Sequence, residues 1–507
     1  MRSPVASQRR TFALNVPAPV RGINAITSLM AMKPADALVL DNFVCYPDRI
    51  QIRDGWTPFV TDFAKPVQHL WTHSSTTGVN TLWATTDDGV FSAGAAGVCP
   101  SAAIALTDGD TIGVNISTGG TNCLMLVNGV DTLKKYNGSA WSSVATFGAT
   151  ATSTYSYVEV YKQRLWMIQK NSLTMEYLPP NSISGTPITY DLGAIFRRGG
   201  KLVALGTWTI DGGTGSDDHL VVVTSEGEIA VFAGNDPASS STWALIGVFF
   251  VSRPLGKRCL YKYAGDLLYL SDAGLFPLSK ALLVASIDRT QAISEKIRPM
   301  FNAAAQLFRL NSGWQMVAQP EIPLLIVNIP STPVRRQFVM HLQTGAWSTF
   351  SGLEANCFAQ ADSVLFMGTD DGVVKITGTD DNGAFIFGTM QQAYSMFGFP
   401  ENKTIKEIKP TFSTEGQFTY DLGVADDFDQ NYLTNTVAAA NFATVSIWGT
   451  GVWGTSTWNA GASTIRNWIT VPNTYSQWKS IYCRTSSLNG VLSYLGSDAL
   501  MQRGSFW

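Results

Sequence analysis

Charge is scarce in this sequence and histidine scarcer. Charged side chains make up 14% of its 507 residues, against about 25% in an average soluble domain, so much of the surface must be uncharged or covered by partners. That composition favours an assembly subunit over a freely diffusing enzyme. The formal net charge of −3 carries no basic excess of the kind that grips nucleic acid phosphates. With only His69, His73, His219 and His341, acid–base and metal chemistry have few candidates. His69 and His73 stand four apart in a strand-like run, where that spacing is about 13 Å, so they do not share one metal and structural roles are expected.

Paired cysteines and long apolar runs are lacking as well. Cys45, Cys99, Cys123, Cys259, Cys357 and Cys483 are scattered and form no Cys-x-x-Cys pair, a pattern expected of free buried thiols rather than a disulfide framework. No window approaches the ~18 apolar residues of a membrane-crossing helix. Arg2, Arg9 and Arg10 precede a stretch interrupted by Asn15, Pro17 and Pro19, a poor signal peptide. Synthesis in the cytoplasm and retention there before assembly is expected.

Motifs that carry chemistry fail one by one. There is no Gly-x-Ser-x-Gly elbow, and Gly256-Lys257-Arg258 is no phosphate loop because position 251 is Val251. Gly449-Thr450-Gly451-Val452-Trp453-Gly454 spells a dinucleotide fingerprint, but no βαβ pattern surrounds it. Asp427, Asp429 and Asn431 begin like a calcium loop that Tyr432 and Ala438 then break. Loose sialidase-type Asp boxes begin at Thr85, Thr189, Thr209, Thr379 and Thr419 without the usual Trp. No catalytic residue, metal or cofactor is expected.

What the chain does have is glycine, 45 residues of it, between short β-branched and aromatic runs, which reads as all-β. Short helices are expected only around Lys33 to Asp41 and Asp288 to Ala304. A strand–tight turn–strand phrase recurs, with turns near residues 88, 129, 170, 226, 273, 331 and 371. Most separations match the ~40 to 50 residues of a propeller blade. Apolar runs such as Val221-Val222-Val223 suit strands covered on both faces. The expectation is a β-propeller of about seven blades over 61–385, with residues 1–60 as an N-terminal arm and closing strand; two tandem β-sandwiches are the alternative. From 386 to 507 the texture changes. Phe418, Tyr420, Leu422 and Val424 alternate with polar residues, so a C-terminal β-sandwich-like assembly domain is expected.

Two acidic pairs, Asp217-Asp218 and Asp426-Asp427, are either solvated loop charge or carboxylates that line a channel and repel phosphate. Trp448, Trp453 and Trp458, five residues apart, and the terminal Trp507 either fill a core or anchor a neighbouring subunit.

Several phrases resemble the nozzle family of short bacteriophage tails, also called tail tubular protein B or packaged-DNA stabilisation proteins. They are Arg164-Leu165-Trp166-Met167, Glu176-Tyr177-Leu178-Pro179, Gly199-Gly200, Gly213-Thr214-Gly215, Ser225-Glu226-Gly227-Glu228, Gly234-Asn235-Asp236-Pro237 and Arg253-Pro254-Leu255-Gly256-Lys257-Arg258. Arg21-Gly22-Ile23-Asn24, Asp41-Asn42-Phe43, Arg53-Asp54-Gly55-Trp56 and the Trp448–Gly454 region add to them. The resemblance implies a structural virion protein, a homohexameric ring below the tail adaptor ring that sits on the portal. It further implies a closed gate before infection and a conduit for double-stranded DNA without specific binding. Tail fibres or spikes, and the host surface or membrane at infection, are the other implied partners. A host-glycan-binding or polysaccharide-degrading tail propeller is the competing expectation.

Overall fold

The structure is a computed structural model that describes residues 11–211, 216–263, 265–281, 291–429, 434–440 and 463–504. It is all-β, built from many small antiparallel sheets. The helix expected at Lys33 to Asp41 is absent. Ala37–Asp41 is a strand paired with Ile386–Gln392, a case of tertiary pairing overriding a weak local preference. Of the second expected helix, 282–290 lies outside the described residues, and the helix present there is Arg298–Phe308.

The chain divides into two compact units: Met1–Thr57 with Phe338–Ser351 and Ile376–Trp507, and Pro58–Gln337 with Gly352–Lys375. Along the second unit small sheets succeed one another, with a two-stranded pair, Thr146–Phe147 and Thr150–Ala151, between the second and the third. The first is His69–Ser74, Asn80–Thr86 and Gly89–Ser92; the second Ile112–Thr118, Thr121–Val127, Leu133–Tyr136 and Trp141–Val144. The third is Tyr155–Tyr161, Arg164–Gln169, Thr174–Tyr177 and Ile188–Asp191; the fourth Leu202–Asp211, Ser216–Thr224, Glu228–Gly234 and Trp243–Phe250. The fifth is Leu260–Tyr263, Asp266–Ser271 and Gly274–Pro277, and the sixth begins with Gln315–Gln319 and Leu324–Ile329. The seventh is Cys357–Ala361, Val364–Gly368 and Val373–Ile376, completed by the strand Trp56–Thr61 from far upstream.

Each sheet packs on the next, and the last packs on the first. Trp83 and Val90 of the first sheet share a core with Leu124, Leu126 and Tyr136 of the second. Lys170 Nζ, at a turn of the third, donates to Gly129 O of the second at 2.9 Å. Trp166 of the third stacks on Trp243 of the fourth with ring centres 5.6 Å apart. A Cβ on Gly206 of the fourth would sit 2.8 Å from Leu260 of the fifth, so glycine is what lets the two sheets approach. Tyr261 of the fifth accepts the Ala318 N–H of the sixth at 2.9 Å. Gln315 of the sixth makes a two-way amide bridge to the Phe358 backbone of the seventh, at 2.8 and 2.9 Å. Val60, Cys357, Phe366 and Val373 of the seventh pack with Leu70, Leu82 and Ala84 of the first. The middle strands are covered on both faces, as Leu165–Ile168 and Val221–Val223 illustrate with complete burial.

Tight turns join those strands. Gly227 holds φ +81° and a Cβ there would lie 2.3 Å from Ser252 O. Gly129 and Gly274 also have positive φ, whereas Gly89 does not; at Gly89 the constraint is instead Ile104 O, 2.7 Å from the position of a Cβ. Gly227→Val combines left-handed strain of about 1–3 kcal/mol with a backbone collision. A melting temperature several degrees lower is expected by calorimetry.

The other unit is two facing sheets. One orders Phe43–Cys45, Ile50–Ile52, Leu492–Arg503, Lys403–Thr414 and Ser463–Arg466, with Thr11–Pro17 paired along Leu492–Arg503. The other orders Ala346–Ser351, Ala37–Asp41, Ile386–Gln392, Lys479–Leu488, Gln417–Asp426 and Thr434–Ala440. Phe412 of the first, itself against Tyr494 of the same sheet, meets Phe418 and Tyr420 of the second, Phe412–Tyr420 at 4.9 Å. The expected alternation in Gln417–Asp426 is present, with Phe418, Tyr420, Leu422 and Val424 all buried.

Candidate functional site

The leading strands of several of these sheets line one cavity, and their side chains define the site. Asp110 and Thr111 lie just before the second sheet, Lys257 and Arg258 just before the fifth. The two segments stand 147 positions apart in sequence and meet through their side chains. Arg258 Nη2 donates to Asp110 Oδ1 at 2.6 Å and to Thr111 O at 2.9 Å. Lys257 Nζ lies 3.1 Å from Asp110 Oδ2 and also donates to Asp110 O. Thr111 Oγ1 in turn accepts the Trp71 Nε1 proton at 2.8 Å. One carboxylate and two cations thus form a strut across the centre. Burial alone would raise the Asp110 carboxyl; Arg258 and Lys257 reverse that and hold it below the ordinary carboxylate value. Burial lowers the Lys257 ammonium, and Asp110 offsets part of that loss.

Beside the strut is a cavity of about 420 Å³ whose lining includes His69, Trp71, Tyr157, Glu159, Arg258 and Tyr261. His69 is 3% exposed. Burial, then the Arg258 and Lys257 charges, push its imidazole well below the usual range, so the ring is neutral. Its Nδ1 and the Nε of Arg258 are buried without a hydrogen-bond partner. Burial pushes the Glu159 carboxyl up to about 7, opposed by the Val160 N–H and by Lys262. The arrangement offers one carboxyl that titrates near neutrality, one neutral imidazole and aromatic walls. It can bind a polar molecule by complementary hydrogen bonds.

A carboxyl raised by the fold is stabilising while protonated. Its contribution is complete below the unfolded value of 4.5 and is lost as pH rises through about 7. Glu159→Gln, neutral at every pH, is therefore expected to be more stable than the parent at pH 8, by roughly 2–3 kcal/mol. Below pH 5 the two should converge. Melting curves across pH check this; a gap that is constant with pH would refute it.

Of the acids singled out in sequence, Asp218 lies on Ser216–Thr224, bonded by Lys162 at 3.1 Å and Thr209 at 2.8 Å. Asp217 is on the same strand. Asp426 accepts from Thr474, Ser476 and Lys479, and Asp427 from the Gln477 and Trp478 N–H groups. The two pairs belong to different units. Trp448, Trp453, Trp458 and Trp507 lie outside the described residues. His73 bonds Asn122 O at 3.0 Å and His341 bonds Thr344 at 3.3 Å. All six cysteines are free, Cys99 partly exposed and the others buried. Among the described residues no group of three or more His, Cys, Asp or Glu is placed to hold a metal, and no helix is long and apolar enough to cross a membrane.

Glu159, Asp110 and the Lys257-Arg258 strut were not identified from sequence. A signal existed for Glu159, a lone carboxylate in the otherwise apolar run Tyr157–Tyr161. Asp110 and Arg258 are 148 positions apart, and no spacing rule connects them.

No family model and no curated protein matches the chain. Among solved structures, Sqt1 from Saccharomyces cerevisiae aligns with 64% of this chain and 99% of its own, at 10% identity and a TM-score of 0.38.

Proposed function

We propose that the chain is a structural subunit of a short phage tail, the nozzle or lower tail tube, whose seven-sheet cycle is a seven-bladed propeller. The observation that carries this reading is what the resemblance phrases do. Arg164 pairs with Asp236 at 3.1 Å and lies over the Tyr177 ring at 5.6 Å. Glu226 pairs with Arg253 at 2.9 Å. Glu228 accepts the Arg197 and Arg198 N–H groups. Arg253-Pro254-Leu255-Gly256-Lys257-Arg258 ends in the central strut. These residues of the resembling phrases act as structural ties within and between the sheets of residues 155–271, which fits a common frame rather than a common active site.

In this reading the centre of one chain is not the DNA path. Its cavity of about 420 Å³ abuts the Asp110–Arg258 strut, while the major groove of a duplex is alone about 12 Å wide. The conduit must then lie between copies, and a homohexamer beneath an adaptor ring supplies it. The proposed roles are genome retention before infection and passage of DNA at ejection, without catalysis. A wall that lets DNA slide should offer no phosphate grip, in keeping with the net charge of −3 per chain. Purified protein is expected to bind duplex DNA weakly even at low salt in a filter or mobility assay. Tight binding that falls steeply with salt would count against the conduit.

A host-glycan-binding propeller is favoured by one feature, the cavity with Trp71, Tyr157 and Glu159 and the unpartnered His69 Nδ1. Saccharide binding lost in Glu159→Gln would support it. Release of reducing sugar abolished by the same change would turn the reading to an enzyme.

A further inference from the structure

On the Lys257 side of the strut is a second pocket, of about 360 Å³. Its lining draws on the turn of the third sheet, with Lys170 and Asn171, on Lys201 ahead of the fourth, on Ser225 in a turn of the fourth, and on Lys257 ahead of the fifth. Its one carboxylate, Asp110, already has Arg258 on Oδ1 and Lys257 on Oδ2. The remaining polar groups present donors. Asn171 turns its Oδ1 to Lys201 Nζ at 3.0 Å, which leaves the amide N–H pair outward. Ser225 Oγ accepts the Lys201 N–H at 3.2 Å, which leaves its hydroxyl proton to donate. Lys170 uses one of its three protons on Gly129 O. The chain as a whole is acidic, yet three ammonium groups meet here with a single neutralised acid.

We infer that this pocket binds a small anion through a phosphoryl group, either inorganic pyrophosphate or a phosphorylated saccharide. Lys170 and Lys201 supply charge-assisted hydrogen bonds, Asn171 and Ser225 supply neutral donors, and the Lys257–Asp110 pair forms the floor. The pocket is large enough for one sugar ring with its phosphate. The site belongs to a single chain, so it stands or falls independently of the tail assignment.

Titration calorimetry on the intact protein tests it, with pyrophosphate, glucose 1-phosphate and glucose as probes. Saturable binding of pyrophosphate or glucose 1-phosphate near or below about 1 mM is expected, with none for glucose. Lys170→Met/Lys201→Met should weaken it at least tenfold, and Lys170→Arg/Lys201→Arg should retain it. Both pairs replace exposed side chains, so an unchanged melting temperature shows that the fold is intact. Tighter binding of glucose 1-phosphate than of pyrophosphate identifies the phosphosaccharide as the ligand, and the reverse order identifies the free anion. Absence of saturable binding, or affinity unchanged in the methionine variant, overturns the inference.

Discussion

Arg53→Ala is expected to cost about 3–5 kcal/mol, the range for removing one partner of a buried pair. The guanidinium is 2% exposed and holds five acceptors. Nη1 and Nη2 donate to the two Asp381 oxygens at 2.8 and 2.7 Å, Nε to Asn42 Oδ1 at 2.9 Å, and the Asp54 and Ser351 carbonyls complete the set. Asn42 in turn holds the Ser351 N–H and Phe387 O, and Asp41 holds Thr349 and Ser351. Alanine leaves Asp381 and Asn42 facing a gap with nothing to donate into it. Denaturant melting measures the loss. Lys at this position keeps the charge but not the planar fork, so it should recover only part of the stability. Recovery to the parent value would mean that charge alone, and not the bidentate geometry, holds the site.

Asp110→Ala is the second large effect, about 2–4 kcal/mol after allowance for a carboxylate that keeps some solvent contact. It leaves Lys257 and Arg258 adjacent with no acid between them, so repulsion adds to the lost bonds. Adding Arg258→Met to Asp110→Ala should restore part of the loss, since groups in one network are not additive. The pH dependence runs opposite to that of Glu159. A carboxyl held low by its partners stabilises above its unfolded value, and the contribution disappears as pH falls through the lower folded value. The parent should therefore lose its advantage over Asp110→Ala in acid. An advantage that persists at pH 2 would show that the strut is not ionic.

The repeat was legible because it rests on local chemistry. The apolar strand–turn–strand phrases read from sequence fall on antiparallel strands of small sheets, since covered strands need apolar runs and tight turns need Gly, Asn or Asp. The alternation of Phe418 to Val424 was legible for the same reason. What was not legible lies in pairings between distant residues. Thr11–Pro17 runs along Leu492–Arg503, and it does not differ in composition from an ordinary edge strand. Ala37–Asp41 was misread as helical because five residues carry too little periodicity to separate the two states. The central site escaped because its parts, Asp110, Glu159 and Arg258, each look unremarkable alone and come together only when the sheets close into a cycle.

The central claim is that the chain works as a ring of copies. Native mass measurement with electron microscopy of the purified protein, alone and with the proposed adaptor, tests it most directly. A species of six times 54.9 kDa, seen as rings with an open or gated centre, is expected. A chain that stays monomeric at all concentrations and in the adaptor's presence would contradict it.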